Sequence, residues 1–150
     1  MFGAAANGRV AQVIGNPDLE HSYSYSYAHD VAAALITLGT QAGATGRVWH
    51  LPVDTARTTR QIISQVYALA GRQPRILAAR RTTLRVLGLV KPAMREYLHT
   101  LYQFREPWVV DDTAFRAAFG ACPTPLDEAL AATTQWYSAA GCASRAAASR

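Results

Sequence analysis

The hydrophobic positions of this chain recur with two different periods, and the two periods alternate along the sequence. Runs with apolar residues at i, i+3, i+4 and i+7 predict amphipathic helices, whereas short runs of β-branched and aromatic residues predict strands. Helices are expected at residues 31–38, 58–70, 82–103 (two helices, broken at Pro92), 112–119 and 125–137. Strands or extended runs are expected at residues 12–15, 22–27, 47–51, 75–78 and 108–110. This alternation is typical of an α/β fold with short mixed strands and five to six helices.

Capping residues mark several of the expected helix boundaries. Thr58 and Gln61 have the spacing of a capping box, in which each side chain bonds the backbone N–H of the other residue. Gly39 follows an apolar stretch and can end its helix in a left-handed conformation. The other expected caps are Thr124 before Pro125, Asp111 or Asp112 at the start of a brief helix, and Gly71 and Gly120 after helix ends.

Serine and tyrosine alternate over residues 22–27. In a strand this period places Tyr23, Tyr25 and Tyr27 on one face. Tyrosines arranged in this way can contact a base or a sugar, or they can pack together with their hydroxyl groups at a wet edge. The residues themselves leave both interpretations open.

Length and composition indicate one small domain with a hydrophobic core. Of the 150 residues, 50% are hydrophobic and 17% are charged. There is no apolar run of about 18 residues and no signal sequence after Met1, so we expect no membrane span and a cytoplasmic protein whose Cys122 and Cys142 are reduced thiols. The domain is expected to cover residues 1–139, and residues 140–150, which lack large apolar side chains, are expected to form a frayed or disordered tail.

The formal net charge of +5 comes almost entirely from arginine, since Lys91 is the one lysine of the sequence. The arginines are spread along the chain, and the densest group (Arg80, Arg81 and Arg85) fits a solvated helix face. A nucleic-acid surface would instead combine a basic stripe with exposed aromatic residues. We therefore do not expect nucleic acid as a partner, although a self-standing basic module that binds nucleic acid or another protein stays the alternative hypothesis.

Searches for catalytic and ligand-binding motifs give no assignment. The sequence contains no G-x-S-x-G, and its four histidines lack the spacing of a zinc site. The glycine cluster from Gly39 to Gly46 follows a predicted helix and precedes a predicted strand, whereas a dinucleotide loop must follow a strand and open a helix. We interpret it as a turn, and we assign no catalytic, cofactor-binding or metal-binding residue.

Several phrases, taken in order, resemble the extended short-chain dehydrogenase/reductases, the NAD(P)-dependent epimerase/dehydratase family. The family phrase Tyr-Val-Asp-Asp-Val-Ala-x-Ala-Leu is similar to residues 27–35, Tyr-Ala-His-Asp-Val-Ala-Ala-Ala-Leu. A family strand and a Thr- or Ser-capped helix correspond to residues 48–52 and 58–71. The family's closing phrase is similar to residues 123–137, Pro-Thr-Pro-Leu-Asp-Glu-Ala-Leu through Thr133 to Trp136-Tyr137. The resemblance extends from about Phe2 to Tyr137 and concerns the C-terminal, substrate-side portion of the family fold.

The resemblance implies that the catalytic groups lie outside this sequence. Family enzymes have a Rossmann half with a glycine-rich loop, and a Tyr-x-x-x-Lys pair that exchanges a proton while nicotinamide exchanges hydride. Here Leu87 lies four residues before Lys91, and there is no dinucleotide loop. We therefore expect a C-terminal fragment that is inactive alone and binds no cofactor alone, whereas the complete protein would use NAD or NADP and a small-molecule substrate. A truncated, non-functional gene product is equally consistent with the sequence.

The resemblance also supplies candidate substrate-side residues, namely Tyr25, Tyr27 and Arg105. Arg105 lies near the position of a family arginine that precedes the closing aspartate. Nucleotide-sugar enzymes of the family have a second arginine at a place that falls near Tyr23 here, so a nucleotide-diphosphate sugar is not expected as substrate. Apolar surface left exposed without the Rossmann half predicts self-association, such as a homodimer.

Overall fold

The computed structural model describes residues 1–14, 19–79, 103 and 106–148. The candidate Arg105 and nearly all of the helical region expected over residues 82–103 lie outside the described residues. The helices are α1 (Phe2–Ala6), α2 (Ala28–Thr40), α3 (Thr59–Leu69), α4 (Thr113–Phe119) and α5 (Leu126–Ala148), and a 3-10 turn spans Ala42–Ala44. The strands are β1 (Ala11–Ile14), β2 (Ser22–Tyr23), β3 (Arg57–Thr58) and β4 (Ile76–Ala79). Within these residues the chain is a mixed α/β fold with five α-helices, which confirms the predicted class.

The strands of the described residues form two small sheets. β1 and β4 are parallel, with Ala11 opposite Ile76. β2 and β3 are antiparallel, and Tyr23 of β2 also bridges to Trp108. The Trp108 N–H donates to the Ser22 carbonyl at 2.9 Å, so the extended run predicted at residues 108–110 adds to this second sheet.

The hydrophobic core lies where α1, α3 and α5 meet beside β1. Helix α3 supplies most of its large side chains, because its apolar residues recur on one face of the helix. The capping box predicted at its start is present: the Thr58 hydroxyl accepts from the Gln61 N–H at 3.2 Å, and the Gln61 side chain accepts from the Thr58 N–H at 2.9 Å. The core cluster comprises Ala5, Ala11, Leu19, Ile62, Ile63, Val66, Tyr67, Leu126 and Leu130.

Two carboxylates from distant parts of the chain fix the start of α5. Asp30 accepts hydrogen bonds from both the backbone N–H (2.9 Å) and the hydroxyl (2.7 Å) of Thr124. Asp54 accepts from the N–H of Leu126 at 2.7 Å. The sequence predicted Thr124 as the helix cap, but its hydroxyl is engaged by Asp30 and Asp54 takes the capping role. The helix therefore starts at Leu126.

Two further sequence predictions, the strand at residues 47–51 and the helix end at Gly39, differ from the structure. The strand expected at residues 47–51 is absent from the described chain; Trp49 instead packs on Phe115 and Phe119 and donates to the Ala44 carbonyl at 2.8 Å. Helix α2 runs through Gly39 and ends at Thr40, and the following Gln41 has an extended backbone. Helix α5 continues past residue 139 to Ala148, consistent with the high helix propensity of alanine; the frayed tail stays a prediction about the protein in solution.

Among the described residues, no helix is both long enough and apolar enough to cross a bilayer.

Candidate functional site

Of the strand expected over residues 22–27, only Ser22 and Tyr23 form a strand. β2 ends at Tyr23, because the neighbouring strand β3 is itself two residues long. Tyr25 and Tyr27 continue in an extended segment, and Tyr27 occupies the position just before α2 with φ −85° and ψ 134°. The segment thus leaves the sheet and crosses to the helices.

Tyr25 and Tyr27 line one cleft of about 240 Å³ between this segment and the helices. Phe2 of α1 and Ile62 of α3 form part of its wall. The remaining lining residues are Met1, Ser26, Ala28, Leu126, Ala129, Leu130 and Thr133. The structure therefore brings together two of the three substrate-side candidates, and the third, Arg105, lies outside the described residues.

Hydrogen bonds and ring contacts hold the two tyrosines in place. The Tyr25 hydroxyl lies 3.3 Å from Oγ1 of Thr59, at the start of α3. The Tyr27 ring contacts the ring of His29, with 5.0 Å between centroids. Both tyrosines are half-buried, so each ring lies against protein while part of it faces the solvent. Such a ring supplies an apolar wall and a polar tip.

The described residues that line the cleft have no charged side chain, and their polar side chains are hydroxyls. Met1, which also lines the cleft, carries the N-terminal amino group. The Thr133 hydroxyl donates to the Ala129 carbonyl at 2.7 Å, so only its lone pairs remain for a ligand. The side chains of this lining can hold a neutral and largely apolar group.

Tyr23 lies outside the cleft, although it belongs to the same serine–tyrosine run. Burial chiefly, and the neighbouring Tyr25, raise the pKa of the Tyr23 hydroxyl above its ordinary value of 10.0. Its hydroxyl therefore stays protonated at neutral pH, and it is not a ready proton acceptor.

The sequence analysis did not predict that residues other than Tyr25 and Tyr27 line this cleft. The apolar face of α5 was predicted correctly, since Leu126, Ala129 and Leu130 are buried. Its part in a cleft depends on how α1 and α3 pack against it, which no local signal encodes. Among the described residues, no group of three or more His, Cys, Asp or Glu side chains is placed to hold a metal ion.

The chain matches no protein-family model and no curated protein. Among solved structures it is similar to one described as a "putative epimerase" from Burkholderia cenocepacia, with a TM-score of 0.64 and 20% sequence identity. The match covers 92% of this chain and 39% of that protein, so this chain spans about two fifths of the length of its structural neighbour. The similarity shows that the chain has the fold of part of that structure.

Proposed function

We propose that this chain forms the substrate-side portion of an NAD(P)-dependent epimerase, dehydratase or related oxidoreductase, and that the cleft binds an uncharged part of the substrate. Two supports are independent of each other. The ordered phrases from Tyr27 to Tyr137 resemble that family, and the fold is similar to part of an epimerase-like structure. The observation that carries the proposal is the position of Tyr25 and Tyr27 in one cleft.

The role of the cleft follows from its composition. Hydroxyl groups at its mouth can orient a hydroxyl or carbonyl of a ligand, while Phe2, Ile62 and Leu130 cover the ligand's apolar part. Proton and hydride transfer would require groups that this sequence does not show. Within the proposed enzyme the chain thus binds and orients the substrate, and NAD or NADP is held elsewhere.

The proposal is tested by recording ¹H–¹⁵N spectra of the 150-residue chain during separate titrations with cyclohexanol, glucose, NAD⁺ and NADP⁺. Cyclohexanol is apolar with one hydroxyl, whereas glucose has a similar ring and a fully polar edge. We expect cyclohexanol to shift the amide signals of residues 25–28 and 126–133 saturably, and glucose and the dinucleotides to leave them unchanged.

A pair of variants localises the effect. Ser26 is exposed at the cleft, so Ser26→Trp fills the cleft without entering the core. Ala68→Trp adds the same bulk to an exposed position of α3 that does not line the cleft, and it serves as the control. We expect the cyclohexanol shifts to be lost in S26W and kept in A68W. Saturable micromolar binding of NAD⁺ would contradict the substrate-side assignment, and equal shifts in both variants would contradict the cleft.

A further inference from the structure

Helices α1 and α3 end in the same way, although their sequences differ. Each is followed by a glycine with positive φ, 67° at Gly8 and 66° at Gly71. In each case the next residue is an arginine whose backbone N–H donates to a carbonyl of the last helical turn, at 2.8 Å for Arg9 and 2.9 Å for Arg72. Both ends are therefore Schellman motifs, and each presents an arginine just beyond its glycine.

The parallel sheet brings these two helix ends together. β1 begins shortly after Arg9 and β4 shortly after Arg72, and parallel strands begin at the same edge of their sheet. At that edge the N–H of Ala11 donates to the carbonyl of Arg75 at 2.7 Å, which adds a third arginine. We call Gly8, Arg9, Gly71, Arg72 and Arg75 the Gly-Arg edge.

Direct contacts hold the Gly-Arg edge in a fixed geometry. The buried Tyr67 holds both turns, since its hydroxyl donates to the carbonyl of Arg9 and its carbonyl accepts from the N–H of Arg72 at 2.9 Å. A Cβ atom at Gly8 would lie 2.6 Å from Nη1 of Arg72, so the guanidinium of Arg72 rests against the Gly8 backbone. The lack of a side chain at Gly8 is what permits this approach.

Within the part of the chain that the structure describes, Arg9, Arg72 and Arg75 form no ion pair. Arg9, Arg72 and Arg75 are exposed, and within the described residues the ion pairs are formed by other arginines, namely Arg57, Arg60 and Arg116. Gly8, Arg9 and Gln12 line part of an open cleft of about 650 Å³, and Gly71 and Arg72 line part of a second cleft of about 450 Å³. The Arg72 guanidinium reaches the Gly8 backbone, next to Arg9, so an anion that bound both arginines would reduce the repulsion between their like charges.

We propose that the Gly-Arg edge binds a phosphate group of a small anionic ligand. Guanidinium forks match phosphate oxygens in bidentate pairs, and fixed backbones reduce the entropy lost on binding. Among its described lining residues, the cleft beside Arg9 has no aromatic side chain, and these residues therefore offer no stacking surface for single-stranded nucleic acid. The site is separate from the substrate cleft and does not depend on the proposed function.

The test is calorimetric titration of the 150-residue chain with pyrophosphate at low salt, using Arg9→Gln, Arg72→Gln and Arg47→Gln. Arg47 is exposed, lies over the Trp49 ring at 4.5 Å, and loses the same charge when substituted, so R47Q is the matched control. We expect R9Q and R72Q each to weaken pyrophosphate binding about tenfold or more, and R47Q to weaken it less than about twofold.

Parallel titrations identify the source of the phosphate. Adenosine monophosphate tests whether a nucleotide carries it, and binding of either compound with the same dependence on Arg9 and Arg72 supports the proposal. The proposal is overturned if neither pyrophosphate nor adenosine monophosphate binds the wild-type chain, or if R47Q weakens binding as much as R9Q. It is also overturned if a DNA duplex binds more tightly than pyrophosphate through the same arginines, or if R9Q and R72Q lower only the melting temperature, in which case the arginines serve the helix ends.

Discussion

At the scale of single residues, Asp112 joins α4 to the segment that precedes β3. Its carboxylate accepts from the Val53 N–H at 2.8 Å and from Nε of Arg116 at 2.9 Å. We expect Asp112→Asn to lower the free energy of unfolding by about 2 kcal/mol, because hydrogen bonds to a charged group are lost at a buried position. Urea unfolding measures the change. Glu128→Gln, on the exposed side of α5, is the control and should change stability by less than about 1 kcal/mol; equal losses would contradict the argument.

Asp112 and Asp54 make the free energy of unfolding depend on pH in the acidic range. Burial opposes ionisation of Asp112, but hydrogen bonds from Arg116 and Val53 outweigh it, so its pKa falls below the ordinary 3.8. The hydrogen bond from the Leu126 N–H is the main cause of the lowered pKa of Asp54. A lowered folded-state pKa means that the unfolded chain binds more protons than the folded chain in acid. The contribution of each aspartate to the free energy of unfolding is therefore fully present well above pH 3.8, and it is lost as the pH falls through the folded-state pKa.

We therefore expect the free energy of unfolding to decrease as the pH is lowered from about 5 to about 2.5. Asp54→Asn should make this decrease shallower, because the substituted side chain no longer titrates. Denaturant titrations at a series of pH values give the slope directly. A slope in D54N as steep as that of the wild-type chain would exclude Asp54 as a contributor.

At the scale of elements, α3 depends on its capping box. Thr58→Ala removes the hydroxyl that accepts from the Gln61 N–H, and we expect a loss of about 1 kcal/mol in unfolding free energy. Thr40→Ala is a matched control at the exposed last residue of α2. The Thr40 hydroxyl donates to a backbone carbonyl one turn earlier in the same helix, and it caps no free N–H group. This control should leave stability nearly unchanged, since alanine has the higher helix propensity. Thermal melts followed by circular dichroism compare the two; a smaller effect in T58A than in T40A would refute the cap's importance.

Elements with local signals were predictable from the sequence, and elements that depend on distant partners were not. The capping box of α3 and the left-handed Gly120 after α4, with φ 64°, are encoded within a few residues. The strand expected over residues 22–27 shortened to two residues because its length is set by β3, a segment more than thirty positions away. Hydrophobic period alone does not contain that information.

The candidate site shows the same division. Tyr25 and Tyr27 were predicted from a motif and lie in the cleft, whereas Ile62 and Leu130 were predicted as helix-face residues without a role in a site, and Phe2 was assigned neither. The cleft exists only because α1, α3 and α5 pack around the segment that contains Tyr25 and Tyr27. The two glycine–arginine turns are likewise separate in the sequence and meet only because β1 and β4 pair.

At the scale of the whole molecule, several large apolar side chains face the solvent. Those that contact one another are expected to contribute most to self-association. Trp136 and Tyr137 of α5 are 64% and 39% exposed and their rings are in contact, whereas Trp108 and Val109 are 68% and 65% exposed but lie in an extended run, in which consecutive side chains point to opposite faces. Isolated exposed apolar residues are ordinary on protein surfaces, but contiguous ones favour association. The predicted self-association should therefore depend on Trp136 more than on Trp108.

This dependence can be measured by sedimentation velocity between about 5 µM and about 500 µM protein, the range in which exposed apolar surface drives association. We expect the wild-type chain to sediment faster as concentration rises, Trp136→Ser to remain closer to a monomer, and Trp108→Ser to behave like the wild type. The backbone bonds of Trp108 to Ser22 and Ser24 do not involve its side chain, so W108S keeps the sheet contact while it removes the ring. A wild-type chain that is monomeric throughout would refute self-association, and equal effects of the two substitutions would show that the contact of Trp136 with Tyr137 is irrelevant.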